Sequence, residues 1–254
     1  MATLNDKTLG IVLSTTPIND HTQFVHIYTE QIGRITCRVP LSSRGRKASQ
    51  MRSILTPMSI LELVLSGRNG TDPSNAATQD ILQIKEAHIV RSPYMLTLSY
   101  PDKGAQCLYM AELIDHTVRE VEANAPLWDF IVGSLDILEQ METGWANFHL
   151  VFTHGLTCLL GFSIDPGSYT EGSCLDLKEG CFTTSPILHP LYLNPESAMW
   201  FHRLLQLDYS TLATLQLNRQ QRAALLDMEL AFLSEHIPEM GKLRSVEVLK
   251  ELFE

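Results

Sequence analysis

The sequence predicts an α+β fold. A small five-stranded barrel occupies residues 1–91, and a mainly α-helical domain with an irregular insertion at about 165–190 occupies residues 92–254. Three observations point there. Apolar residues alternate with polar ones at the strand period of two through the first ninety residues. They switch to helical spacing after Arg91-Ser92-Pro93. The charge changes sign at the same place: residues 1–91 hold ten Lys and Arg against seven Asp and Glu, and residues 92–254 hold nine against twenty-two. The net charge of −10 over 254 residues therefore conceals a small basic module joined to a larger acidic body.

Each strand follows from its spacing. Leu9, Ile11 and Leu13 alternate with Gly10 and Ser14, a pattern softened by Val12. Phe24 to Thr29 is rich in β-branched and aromatic residues, and Glu30-Gln31-Ile32-Gly33 is a hairpin-length turn. Ile35, Cys37 and Val39 alternate with Arg34, Thr36 and Arg38, burying three apolar side chains and projecting two arginines from the opposite face. Ile60 to Leu65 alternates Leu61, Leu63 and Leu65 with Glu62, and Ile81 to His88 supplies a fifth strand. Five strands in about 85 residues suit a nearly closed barrel of the OB-fold type. Gly45 to Met51 fits a short helix between strands three and four, and Gly67 to Asn75 a hairpin loop.

The remainder reads as helices. Met110, Leu113, Ile114 and Val121 form one stripe, and Leu127, Ile131, Leu135 and Leu138 a second. Phe148, Val151, Phe152 and Leu159 continue the pattern, and Ala223, Leu226, Leu230 and Leu233 form a late helix. Asn194 ahead of Pro195 caps a helix running through Trp200 to Leu205. Asp165 to Pro190 holds three glycines, three prolines and two cysteines, an irregular stretch with room for a short hairpin.

Composition excludes several function classes. With 44% hydrophobic and 19% charged residues, the chain buries a sizeable core. Met1–Lys7 contains Asp6 and no apolar run, so no secretory signal is expected. The apolar stretch His149 to Ile164 falls short of the roughly 20 residues that a membrane span needs. Five scattered cysteines fit reduced thiols in the cytoplasm. No GxSxG, HExxH or acidic metal loop occurs. Gly167 to Gly172 has the first two glycines of a phosphate loop, but Ser173-Cys174 stands where Lys-Ser/Thr is required. His154, on an apolar helix face, reads as a core histidine. No catalytic residue, cofactor or metal site is expected, because a closed zinc site needs four suitably spaced ligands.

The basic segment is the positive signal. Arg34, Arg38, Arg44, Arg46, Lys47 and Arg52 fall within 19 residues, and no acid appears from Gln31 through Leu61. Each cation on a phosphate contributes about −0.9 to the slope of log affinity against log salt on duplex, and about −0.7 on single strands. The alternative is that these cations solvate a loop. Phe24, Tyr28 and Tyr94 either stack on bases or fill barrel and interface core. The acidic body repels DNA and suits protein partners. Its isolated cations Arg119, Arg203, Arg219 and Arg222 either meet an acidic peptide or form surface ion pairs.

The run Thr8-Leu9-Gly10-Ile11-Val12-Leu13-Ser14, then Tyr28-Thr29-Glu30 with Gly33-Arg34, then the basic loop through Arg52, resembles the RecO family of bacterial DNA repair proteins. Leu55-Thr56-Pro57-Met58 with Leu61-Glu62-Leu63 continues the likeness. So do Ala146-Asn147-Phe148-His149-Leu150, Leu159-Leu160-Gly161-Phe162 and the tail Arg244-Ser245-Val246-Glu247-Val248-Leu249-Lys250-Glu251-Leu252. The resemblance covers nearly the whole chain, and its specificity lies in the order and spacing of these motifs.

The resemblance implies an N-terminal OB-fold followed by a helical domain. It implies a cytoplasmic, nucleoid-associated protein without ATP hydrolysis that binds single- and double-stranded DNA and anneals complementary strands. Its implied partners are RecR and the acidic C-terminal tail of single-strand-binding protein. With RecR it would help load RecA onto gaps coated with single-strand-binding protein, and no membrane is involved. The DNA-binding role then falls on Arg34, Arg38, Arg44, Arg46, Lys47 and Arg52, with Arg68 and Lys85 beside them. Many members of the family carry a zinc module of two CxxC pairs after the Leu-Gly-aromatic motif. Only Cys174 and Cys181 stand there in this chain, so zinc is expected to be absent. The overall acidity keeps a second function open: an adaptor that binds RecR or the single-strand-binding protein tail with little DNA affinity of its own.

Overall fold

A computed structural model describes residues 7–40, 51, 53–66, 81–93, 99–119 and 122–252. The short helix expected at Gly45–Met51 (Met51 apart), the loop at Gly67–Asn75, Tyr94 and Val121 lie outside the described residues. Strands β1 (Thr8–Asn19), β2 (Thr22–Thr29), β3 (Gly33–Pro40), β4 (Ile60–Ser66) and β5 (Leu82–Arg91) close into a barrel in the order β1-β2-β3-β5-β4. The pairing is antiparallel except at the β3–β5 seam, where Cys37 lies beside Leu82 and Arg38 beside Gln83 in parallel. Val25, Ile27, Ile35, Cys37, Leu61 and Leu63 fill the interior together with Val12.

The first strand departs from simple alternation. Its inward residue is Val12, paired with Ile27, while Ile11 is buried on the outer side opposite Tyr28. Helix α1 (Pro101–Thr117) packs against β1, whose first half is covered on both faces and reads as a continuous apolar run, while Thr15 to Asn19 are exposed. Leu13 falls at a bulge between Val12 and Ser14. Gly10 lets the strands approach: a Cβ there would stand 2.7 Å from both Ile27 Cγ2 and Leu63 Cδ1. Gly33 turns the β2–β3 hairpin at φ +79°, and Thr29 Oγ1 donates to its carbonyl at 2.8 Å.

The chain divides into two compact units, Met1–Ile131 and Val132–Glu254. The change of texture at Arg91 coincides with the end of β5, and α1 continues the first unit. The division falls inside α2 (Ala125–Gln140), whose Leu127, Ile131, Leu135 and Leu138 are all fully buried.

In the second unit, α3 (Phe148–Leu159), α4 (Pro195–Leu205) and α5 (Arg219–His236) pack on one another, and α6 (Ser245–Leu252) closes the chain. The expected cap is present: Asn194 Oδ1 accepts the Ser197 backbone N–H at 3.0 Å, with Pro195 in the first turn. Helix α5 begins with a reciprocal capping box between Asn218 and Gln221. The insertion folds into a small sheet in the order β7-β6-β8, from β6 (Cys174–Asp176), β7 (Cys181–Thr183) and β8 (Tyr192–Leu193). No helix of the described residues is long and apolar enough to cross a membrane.

Candidate nucleic-acid interface

The registers define the outer surface of the barrel. Tyr28 and Arg34 form one cross-strand pair, His26 and Thr36 the next, and Phe24 and Arg38 the third. All six side chains point away from the interior, since Ile27, Val25, Ile35 and Cys37 between them point in. On β5, Gln83 lies beside Arg38, and the exposed Lys85 follows at a bulge, next to the exposed Glu86. Strands β2 and β3 thus bring Phe24 and Arg38 to one surface, with Lys85 on the adjoining β5. Phe24 is half-buried, and Arg38 and Lys85 are exposed. An aromatic face beside exposed cations is the pairing used to hold single strands. In OB-folds it is the face of the second and third strands that binds oligonucleotides.

The other end of this face is closed. Tyr28 is 1% exposed, its ring lies 6.3 Å from that of Trp128, and its hydroxyl donates to the Asn124 carbonyl. It is core, not a platform for bases. Arg34 is held by Asp115 of α1, with Nη2 at 2.7 Å and Nε at 3.2 Å from Oδ1. Ser14 Oγ donates to the other carboxylate oxygen at 2.7 Å, and His26 Nδ1 lies 2.9 Å from the first. The Asp115 side chain is only 11% exposed. Burial alone would raise its pKa, but the hydrogen bonds from His26, Ser14 and Arg34 reverse this and hold it well below the usual carboxylate range. Of the two arginines on β3, one builds the unit and one faces solvent. Arg44, Arg46, Lys47, Arg52 and Arg68 lie outside the described residues.

Comparison with known proteins agrees with this architecture. The family model described as recombination protein O N terminal matches residues 1–83, and that described as recombination protein O C terminal matches residues 99–246. The DNA repair protein RecO of Bacteroides fragilis is 32% identical over 249 residues, covering 98% of this chain and 99% of its own. The chain belongs to the RecO family. Other RecO proteins are similar along nearly their whole length. That of Phocaeicola vulgatus is 32% identical over 97% of this chain and 98% of its own. That of Azobacteroides pseudotrichonymphae is 27% identical over 98% and 99%. Membership in the RecO family places the chain in DNA repair and recombination, and the five-stranded barrel is its OB-fold.

The zinc module known from RecO proteins does not fit the residues here. Cys174 pairs with Thr183 and Cys181 with Asp176, so the two thiols occupy diagonal positions on one face of the hairpin. His189 Nε2 lies 3.1 Å from Asp176 Oδ2, and Asp176 Oδ1 accepts the backbone N–H groups of Lys178 and Glu179. These bonds and the three-stranded pairing hold the hairpin. Among the described residues no group of three His, Cys, Asp or Glu side chains is disposed to bind a metal ion.

Two acids escaped the sequence reading. Asp115 follows the buried Leu113 and Ile114 on α1 and meets Arg34 from 81 residues away. Glu229 of α5 is 3% exposed, within the stripe Leu225, Leu226, Phe232 and Leu233. The sequence reading assigned Leu230 to that stripe, yet Leu230 is only half-buried. Residues at −4, −3, +3 and +4 from position 229 are all apolar, and this bracket was the available signal. His154 likewise differs from a fully buried core histidine: it is half-buried, with Nε2 3.7 Å from Cys158 Sγ.

Proposed function

We propose that this chain is a non-enzymatic recombination mediator that binds single- and double-stranded DNA on its barrel and anneals complementary strands. The observation that supports this reading is the open row Phe24–Arg38 with Lys85 on the adjoining strand. The cations neutralise phosphates and the aromatic ring supports a base, which gives affinity without sequence preference. Arg44, Arg46, Lys47, Arg52 and Arg68 add positive charge to the same stretch of sequence. By sequence the basic balance lies before residue 92 and the acidic excess after it. Family membership adds RecR, RecA loading on gaps coated with single-strand-binding protein, and a cytoplasmic, nucleoid-associated location.

The test is a fluorescence-anisotropy titration of a labelled single-stranded oligonucleotide at several salt concentrations. Arg46→Ala combined with Lys47→Ala is expected to weaken binding to all sequences alike and to flatten the salt slope by roughly one to two. Unchanged affinity and slope would remove the basic loop from the mechanism.

A second activity, docking of the single-strand-binding protein tail, has its own observation. His149, Arg219, Arg222, Leu226, Leu249 and Lys250 line a cleft of about 240 Å³ in the second unit. Burial, with the nearby Arg222 charge, pushes the His149 imidazole down to about 3, so the positive charge here comes from Arg219 and Arg222, while Lys250 pairs with Asp227. Cations around an apolar floor suit an acidic peptide with an apolar side chain. Binding of such a tail peptide that Arg219→Glu abolishes, with no detectable DNA affinity in the wild type, would favour the adaptor reading over the mediator.

A further inference from the structure

Outside the surfaces already described, the second unit holds a cleft whose chemistry differs from the rest of the chain. Glu229 lines a space of about 220 Å³ between α3, α4 and α5, together with His154, Thr157, Phe162, Phe201 and Phe232. Glu229 is 3% exposed, and neither carboxyl oxygen has a hydrogen-bond partner among the described residues. An unsatisfied carboxyl in an apolar helix interface is costly, by about 1–3 kcal/mol for the lost hydrogen bonds alone. Nothing in the packing of α5 requires one: its neighbours in the stripe are leucine and phenylalanine.

The polar groups around this space offer acceptors. Thr157 Oγ1 already gives its proton to the Thr153 carbonyl at 2.7 Å, leaving its lone pairs available. Burial holds the His154 pKa below its ordinary value, so the ring is neutral and presents an acceptor nitrogen. It contributes no cation to offset Glu229. Cys158, beside His154, has its thiol pKa raised, chiefly by burial. The walls are aromatic, and the free space enclosed within them is about that of one water molecule. An anion finds no charged donor here. A guanidinium is too broad for such a floor. A metal ion lacks a ligand set among the described residues.

We infer that this cleft binds a primary ammonium group on an apolar stem, as found in a lysine side chain or a free aliphatic amine, with Glu229 as its counter-charge. Three N–H donors on a group of water-like size answer the carboxylate, Thr157 Oγ1 and His154, and the methylene stem leads out past the half-buried Phe162. The aromatic faces add a cation–π contribution. Burial raises the carboxyl pKa well above its ordinary value and so favours its protonated form until a cation arrives. Ligand entry ionises Glu229 and expels its proton to solvent.

The experiment is calorimetric titration of the full chain with n-butylamine and with Nα-acetyl-lysine methylamide, in phosphate and in HEPES at neutral pH. Binding in the millimolar range with release of about one proton per ligand is expected, read from the difference between the two buffers. Glu229→Gln, the neutral isostere, should weaken binding by at least about tenfold and abolish the proton release. Phe162→Ala should weaken binding while keeping the release, which guards against misfolding of the first variant. A stronger response to the lysine derivative assigns the site to a protein partner's side chain, and a stronger one to butylamine assigns it to a free amine. Equal binding of butyltrimethylammonium, which has no N–H donor, would overturn the proposal. So would unchanged affinity in Glu229→Gln, or no heat with either amine at millimolar concentration.

Discussion

Two buried carboxylates, one in each unit, have opposite surroundings. Asp115 accepts from Ser14 and Arg34 and lies against His26, whereas Glu229 sits among leucines and phenylalanines with no protein donor among the described residues. The same functional group is thus a fastener in the first unit and a liability to folding in the second. Donors convert the cost of burying a charge into a specific tie between α1 and the barrel, and their absence leaves that cost uncompensated. A carboxyl retained without donors suits a ligand, while one ringed by donors suits the fold.

The largest effect should come from breaking the fastener. Asp115→Ala leaves the Arg34 guanidinium, whose side chain is only 17% exposed, beside His26 with no anion. Stranding a largely buried cation costs roughly 3 kcal/mol, measured as a lowered midpoint in urea unfolding. A loss below about 1 kcal/mol would show that the cluster is mere surface pairing. The pH dependence has a definite sign. Asp115 titrates lower in the folded than in the unfolded chain, so its contribution is complete above the ordinary aspartate value and is lost as the pH falls towards the folded one.

The opposite sign is expected at Glu229. Its folded pKa is raised, so the native state holds a proton that the unfolded chain releases, and stability declines as the pH rises above the ordinary glutamate value. Glu229→Leu should remove this decline and stabilise the second unit by roughly 1–2 kcal/mol at neutral pH. Thermal melts of wild type and variant between about pH 5 and 9 test it, and parallel curves would mean that Glu229 finds a donor in solution.

Ser14→Ala removes one of the several partners of Asp115 and should cost about 1 kcal/mol in the same urea series. Ser14 also shows what the sequence could convey. The strands, the Asn194 cap and the irregular hairpin were legible because each depends on neighbours within a few residues: alternation, Asn before Pro, and a Gly- and Pro-rich run. The bulge at Leu13, which aligns Ser14 with His26, leaves no local trace. Nor does the meeting of Arg34 with Asp115, because an arginine on an outward strand position reads the same whether its partner is a phosphate or a distant aspartate. The candidate interface was legible as a basic stretch, yet only the registers separate Arg38 and Lys85 from Arg34. Glu229 was hidden for a simpler reason: a charged residue is ordinarily assigned to the solvent side of its helix, and the apolar stripe was traced through Leu230 instead.

The smallest effect separates the two arginines of β3. Arg38 is exposed beside Phe24, while Arg34 spends its donors on Asp115. If the open row binds DNA, Arg38→Ala removes one phosphate contact and flattens the salt slope on single strands by about 0.7. Its stability should be unchanged. Arg34→Ala should do the reverse, with a lowered unfolding midpoint and an intact slope below that midpoint. Equal slopes for both variants and wild type would move the DNA contact off this face. An equal loss of slope in both would mean that DNA competes with Asp115 for Arg34, and that the first unit rearranges at this cluster when it binds.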